Sequence, residues 1–196
     1  SRAPQPWDLL GSVPPLTALR NAFPDANVVL IGLPCASAFV ERCSQLIDEL
    51  VVFPGAVGFP EQTETNTGLP RLYERMRARN FDLAIQMHGS GGVANDIVEA
   101  FGARHRAGFV QPGESRNGCF IEWPDSLPEP ARYTRLMRAL GVAAYNTTLW
   151  LPLSDSDRAE AGNILQEHAC AGAPFVVIHP GAQLASRRWL PERFAA

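Results

Sequence analysis

Residues Asp82–Asn95 read DLAIQMHGSGGVAN, so His88-Gly89-Ser90-Gly91-Gly92 falls between a short apolar run and an amphipathic stretch. Glycines at such a junction let the main chain approach a ligand closely, and the helix that follows offers free N–H donors to an anion or to hydroxyls. In open α/β sheets, ligands bind at the carboxyl ends of strands, which is where this turn falls. The same residues also make a tight strand-to-helix turn with His88 hydrogen-bonded inside it, and residue types alone leave both readings open.

A second constellation begins at Val177-Ile178-His179-Pro180-Gly181-Ala182 and reaches Arg187-Arg188-Trp189 just before a helical start at Pro191. Two guanidiniums at a helix entrance suit a diphosphate, because each offers bidentate donors and keeps its charge. Beside a helix N-terminus they can stabilise a diphosphate that departs during reaction. The plainer alternative is an exposed basic turn with Trp189 packed as core.

Other motifs are weaker. Gly89-x-Gly91-x-x-Ala94 fits the loose dinucleotide fingerprint, but it follows the third apparent strand. The strand-like Ala103–Val110 also ends without a carboxylate for a ribose. No G-x-S-x-G elbow occurs, which argues against a serine hydrolase. Asp155-Ser156-Asp157 resembles a metal-holding D-x-D, yet Ser154 before it and a helical run after it favour a helix cap.

All 17 basic residues are Arg and none is Lys, which excludes a P-loop lysine, a Schiff-base lysine and a lysine general base. A net charge of -3 gives no bulk attraction to nucleic acid. The 4 cysteines, at 35, 43, 119 and 170, form no C-x-x-C and do not cluster with histidines, so no metal site is expected. Free thiols in a reducing, cytoplasmic compartment are the expectation. No stretch of about 20 strongly apolar residues is present to span a membrane.

The elements that must position these residues alternate between apolar runs and amphipathic stretches, which predicts an α/β fold with a mostly parallel sheet. Strands are expected at Asn27–Ile31, Glu49–Phe53, Asp82–Gln86 and Phe175–His179. Helices are expected from the Leu69, Leu72, Tyr73, Met76 stripe, from Val93–Phe101, from Tyr133–Leu140 and over Asp155–Ala169. The Pro- and Gly-rich stretches 54–70 and 110–130 read as loops. The domain boundary is expected between Leu151 and Pro174: residues 1–152 form a first Rossmann-like lobe, and 153–196 a linking helix and the beginning of a second, cut short.

Taken in order, these segments resemble glycosyltransferase family 9, the heptosyltransferases. The matching residues are Pro15–Ala26, Phe81–Gly91 with Asn95, Phe101–Arg104, Ala107–Phe109, His179–Ala182, Arg187–Trp189 and Pro191–Ala195. The resemblance implies a GT-B fold of two Rossmann-like lobes, an acceptor lobe followed by a nucleotide-sugar lobe. It implies inverting, metal-independent transfer of a heptose-like sugar from a nucleotide-diphosphate donor such as ADP-heptose to a lipopolysaccharide or other glycan acceptor. The donor is a co-substrate and no cofactor is implied. The enzyme would be cytoplasmic, with peripheral membrane association where the acceptor is lipid-linked.

By match, Gly11, Ser12, His88, Gly89, Ser90 and Asn95 belong to the acceptor side, and His179, Gly181, Ala182, Arg187 and Arg188 to the donor side. The family opens with an apolar strand and D-x-x-G-D, whose second Asp is the expected base. Here Asp8-Leu9-Leu10-Gly11 fits the first part and Ser12 stands at the base position, leaving Asp8 as the fallback carboxylate. The 196 residues alone are therefore expected not to turn over. Two alternatives stay open: a non-catalytic glycan- or nucleotide-binding lobe, and a sugar-nucleotide epimerase of the same architecture.

Overall fold

Five short apolar segments pair in parallel in a computed structural model of the chain, which describes residues 6–59, 65–168, 170–178, 189 and 191–193. Strand β1 (Val29–Gly32) pairs with β2 (Glu49–Val52), Val29 opposite Glu49. A second sheet has the order β3 (Leu83–Ile85), β4 (His105–Val110), β5 (Cys119–Glu122). Parallel pairing requires a crossover between neighbours, and helices supply most of them.

The helices are α1 (Val13–Ala22), α2 (Ser37–Arg42), α3 (Leu69–Ala78), α4 (Val93–Ala100), α5 (Glu129–Ala139) and α6 (Asp155–Glu167). Prolines at the first positions of α1, α3 and α5 sit where a helix has no use for an N–H. A 3-10 turn, Pro6–Ser12, leads into α1.

Three apolar clusters hold the layers together. Val51, Phe53, Leu72, Met76, Ile97 and Phe101 join β2, α3 and α4, with Val29 and Ile31 packed against them. Val13, Leu16, Phe39 and Ile47 join α1 and α2 on the opposite face of β1, where Val28 and Leu30 point. Ala107, Phe109, Tyr133, Leu136 and Met137 fix α5 over β4, with Ala18 and Leu19 of α1 alongside. Helices thus cover both faces, as a parallel sheet needs.

The chain divides into two compact units at Leu151/Pro152. The second holds α6, whose Ser154 Oγ accepts from the Asp157 N–H at 3.1 Å while the Asp157 carboxylate accepts from the Ser154 N–H at 2.7 Å. Ser154 and Asp157 thus form a capping box at the start of α6.

Two expectations need correction. The stretch 110–130 is not all loop: Cys119–Glu122 forms β5, a four-residue strand bounded by Gly118 and Pro124 that is too short to show periodicity. Phe175–Ile178, expected as a strand, joins no ladder among the described residues, and Val176 and Val177 are 85% and 81% exposed. Strand propensity becomes a strand only where a partner accepts its hydrogen bonds. His179, the last residue of that expected strand, lies outside the described residues.

Candidate functional site

The ladder between β3 and β4 ends at Ile85 opposite Ala107, and there the chain leaves the sheet. What replaces the lost pairing is side-chain chemistry. The Phe109 N–H donates to Gln86 Oε1 at 3.2 Å, and the Phe109 carbonyl accepts from Asn95 Nδ2 at 2.9 Å. Two amides, one from the end of β3 and one from α4, complete the bonding of β4 beyond the last paired residue. The main chain of 87–92 is thereby released to form a turn.

That turn contains Gly89, Gly91 and Gly92 at φ of +59°, +107° and +64°. At Gly91 a Cβ would lie 2.6 Å from the Phe109 carbonyl oxygen, so no side chain fits. Gln86, buried, donates its Nε2 to the His88 carbonyl, and the Ser90 hydroxyl accepts from Gln111 Nε2 just after β4. His88 is exposed and stacks at 4.9 Å, centroid to centroid, on Phe59. Outside the turn, Arg116 holds the β4–β5 connection against α4 through Asp96 at 2.8 Å and Glu99 at 3.4 Å, and bonds Glu114 at 2.8 Å. The Arg116 guanidinium lowers the Glu114 carboxyl below the ordinary carboxylate range.

Asn95 is entirely buried and its Oδ1 has no partner among the described residues. It reaches a ligand only through the turn that it braces. His88, Gly89 and Ser90 are the members of this set placed at the turn's surface.

Helix α1 packs beside α5, and the entrance to α1 meets the first residue of α5. Gly11 and Ser12 lie at that entrance, and the Ser12 hydroxyl donates to the Leu9 carbonyl at 2.6 Å. A Cβ on Gly11 would sit 3.1 Å from Glu129 Oε2, at the first residue of α5. The other oxygen of Glu129 accepts from the Tyr133 hydroxyl at 2.8 Å. Burial, then the Glu129 charge, hold the Tyr133 phenol well above its ordinary range, so it stays a donor. Asp8 lies within the Pro6–Ser12 turn.

Gln86, Gln111 and Glu129 were not singled out from sequence. The signal for Gln86 was a polar residue closing an apolar strand. Glu129 shows only as an acidic residue opening a helix, which the helix dipole accounts for by itself. His179, Gly181, Ala182, Arg187 and Arg188 lie outside the described residues. Among the described residues no helix is long and apolar enough to cross a membrane.

A family model described as glycosyltransferase family 9 (heptosyltransferase) matches residues 69–196, which includes the glycine turn and excludes the Gly11–Ser12 segment. Among solved structures the chain is similar to the crystal structure of the glycosyl transferase family 9 from Veillonella parvula DSM 2008. That match has a TM-score of 0.67 and 20% identity over 96% of this chain and 54% of the other. The chain thus spans about half the length of that structure. No curated protein matches it.

Proposed function

The chain belongs to glycosyltransferase family 9, and on that premise we propose that its first unit is the acceptor lobe of an inverting sugar transferase. The observation that carries this reading is the glycine turn after β3. Two buried amides hold its main chain clear of the sheet, at the edge where α/β sheets receive ligands. The exposed ring of His88, together with Ser90, supplies hydrogen-bonding groups suited to a polyhydroxylated acceptor.

In the reaction, an acceptor hydroxyl attacks the anomeric carbon of a nucleotide-diphosphate sugar. A C–O bond forms, the bond from that carbon to the diphosphate breaks, and a carboxylate takes the hydroxyl proton. With serine at position 12, Glu129 is the carboxylate that stands beside Gly11, and it takes the base role ahead of Asp8. The Tyr133 hydroxyl bond orients it. Arg187 and Arg188, with the small residues Gly181 and Ala182 after His179, receive the charge of the departing diphosphate. The donor is of the ADP-heptose kind and the acceptor a glycan or lipid-linked glycan; no cofactor takes part and no nucleic acid binds. A lipid-linked acceptor brings the protein to the cytoplasmic face of a membrane.

Serine at the base position favours a second reading, a lobe that binds glycan or nucleotide without turnover. Calorimetry and transfer assays on the protein at its natural full length separate the two. Nucleotide-sugar binding with transfer, lost about 100-fold or more in kcat in Glu129→Gln, is the expected result. Binding of nucleotide sugar or glycan without transfer selects the second reading, absence of nucleotide-sugar binding rejects the transferase, and absence of both kinds of binding rejects both. Conversion of the nucleotide sugar with no acceptor present would mark an epimerase.

A further inference from the structure

Three aromatic rings run from the core to solvent at the glycine turn. Phe53, just after β2, belongs to the apolar cluster of Val51 and Met76. Its ring packs on Phe59 at 5.2 Å between centroids. Phe59 in turn stacks on His88 at 4.9 Å, with 30° between the planes. Exposure rises along the series: Phe53 is buried, Phe59 half-buried and His88 exposed. The imidazole thus has one face backed by Phe59 and the other open to solvent.

Phe59 is held in place by its own loop. Residues Phe53-Pro54-Gly55-Ala56-Val57-Gly58-Phe59 leave β2 and turn, with the Phe59 N–H donating to the Ala56 carbonyl at 3.1 Å. The Val57 N–H donates to Asn66 Oδ1 at 3.0 Å, and Gly68 leaves no room for a Cβ beside Pro54. Both contacts fix the loop to the entrance of α3. On its other side, a Cβ on Gly58 would sit 3.4 Å from Val93 Cγ2, at the first residue of α4. Two strand ends therefore build one surface, Val57 and Phe59 coming from β2 and His88, Ser90 and Val93 from β3.

That surface is amphipathic. Val57 and Val93 are 51% and 44% exposed beside the rings. Gly89 and Gly92 leave the space over the turn open, since a Cβ on either would meet nothing within 4 Å. The polar part is small. Ser90 accepts from Gln111 Nε2, which leaves its own proton to donate, and the imidazole nitrogens lie at the edge of their ring. A ligand matched to such a surface has one apolar face and a rim of hydroxyls, which is the build of a sugar ring. Its C–H bonds point partial positive charge at the negative face of an aromatic ring, while its hydroxyls reach the few polar groups around it.

On the reading of the first unit as an acceptor lobe, we propose that Phe59 and His88 select the acceptor by stacking. A sugar ring lies with its C–H face on the His88 imidazole, Val57 and Val93 border it, and the Ser90 hydroxyl donates to one of its oxygens. His88 acts through its ring face more than through its nitrogens. Phe59 is the positioning residue that fixes the plane of that ring. Sugars with an unbroken C–H face are preferred. An axial hydroxyl on that face is disfavoured, because it would lose its water against the ring and gain no partner.

Saturation-transfer NMR on the protein at its natural full length tests this, with the methyl glycosides of glucose, galactose, mannose and N-acetylglucosamine as probes. His88→Phe keeps the ring face and loses the nitrogens, whereas His88→Asn keeps a donor and an acceptor and loses the face. His88 is exposed, so both variants should fold. At least one glycoside should bind with saturation concentrated on the C–H protons of one ring face. Its Kd should change less than about 2-fold in His88→Phe and rise roughly 3- to 10-fold in His88→Asn. Phe59→Leu should weaken binding by a similar factor, and Phe59→Tyr should recover it. A loss in His88→Phe as large as that in His88→Asn would overturn the proposal. So would an unaltered Kd in Phe59→Leu, saturation spread evenly over both ring faces, or none with any of the four glycosides. The transferase reading fails separately. Nucleotide-sugar binding without saturation of any glycoside overturns the stacking and leaves that reading standing, and stacked glycoside without nucleotide-sugar binding does the reverse.

Discussion

The ends of β1 and β3 point the same way in parallel sheets and are furnished in opposite manners. After β1 the chain passes through Leu33 and a Pro34–Ala36 turn into α2, and the surroundings are apolar: Phe39, Cys43, Leu46 and Ile47. The polar bonding near that sheet lies at its other end, where Arg20 meets Asp48 at 2.6 Å and the carbonyls of Pro24, Ala26 and Leu46. After β3 there is little apolar closure and much buried amide chemistry, directed almost wholly at main-chain atoms. Apolar residues are sufficient to close a strand end. A strand end that instead places two buried amides on the Phe109 main chain fixes the path of the turn that follows.

Glycine substitutions at the two ends test that contrast most strongly. Gly91→Ala forces a side chain into φ +107° and against the Phe109 carbonyl oxygen. A loss of roughly 3 kcal/mol or more in urea unfolding is expected. Gly32→Ala, at the end of β1, puts a Cβ 3.5 Å from Ala36 Cβ in ordinary contact. It should change stability by less than about 1 kcal/mol. Similar losses at the two sites would remove the distinction between them.

Next in size is the pair of amides. Gln86→Ala and Asn95→Ala should each cost about 1–3 kcal/mol, because each leaves a buried main-chain group of Phe109 unpaired. Since both bond one residue, a double-mutant cycle should show coupling of roughly 0.5–3 kcal/mol. Additive losses would mean that the two amides work separately and that the turn is not braced as a unit.

This bracing explains what could be read from the sequence. The glycine turn was visible because glycine requirements are local: a positive φ needs no knowledge of the fold. Strands β1, β2 and β3 were visible from apolar runs, and α3, α4 and α5 from their stripes. What stayed hidden depended on register between distant segments. Gln86 and Asn95 are 23 and 14 residues from the main-chain atoms they hold. Helix α2 is six residues long, too short for a stripe to declare itself, and β5 is shorter still. Phe175–Ile178 failed for the converse reason, being strand-like in composition while its pairing depends on residues elsewhere. Glu129 carries no motif, and only the fold brings it to Gly11.

The smallest effect belongs to the polar contacts of the β1–β2 sheet. The Asp48 carboxyl is held below its ordinary value, first by the Val28 N–H and then by the Arg20 guanidinium. A lowered carboxyl contributes stability that is complete above its unfolded pKa, about 3.9, and is lost as pH falls through the lower folded value. Stability measured by denaturant should therefore decline more steeply below pH 4 in the native chain than in Asp48→Asn. The side chain is largely open to water, so the Arg20–Asp48 coupling should be only about 0.2–1 kcal/mol and weaken in 1 M salt. A coupling as large as that between Gln86 and Asn95 would show that charge at the surface holds this sheet as firmly as buried amides hold the turn. The difference between the two strand ends would then lie in chemistry alone and not in rigidity.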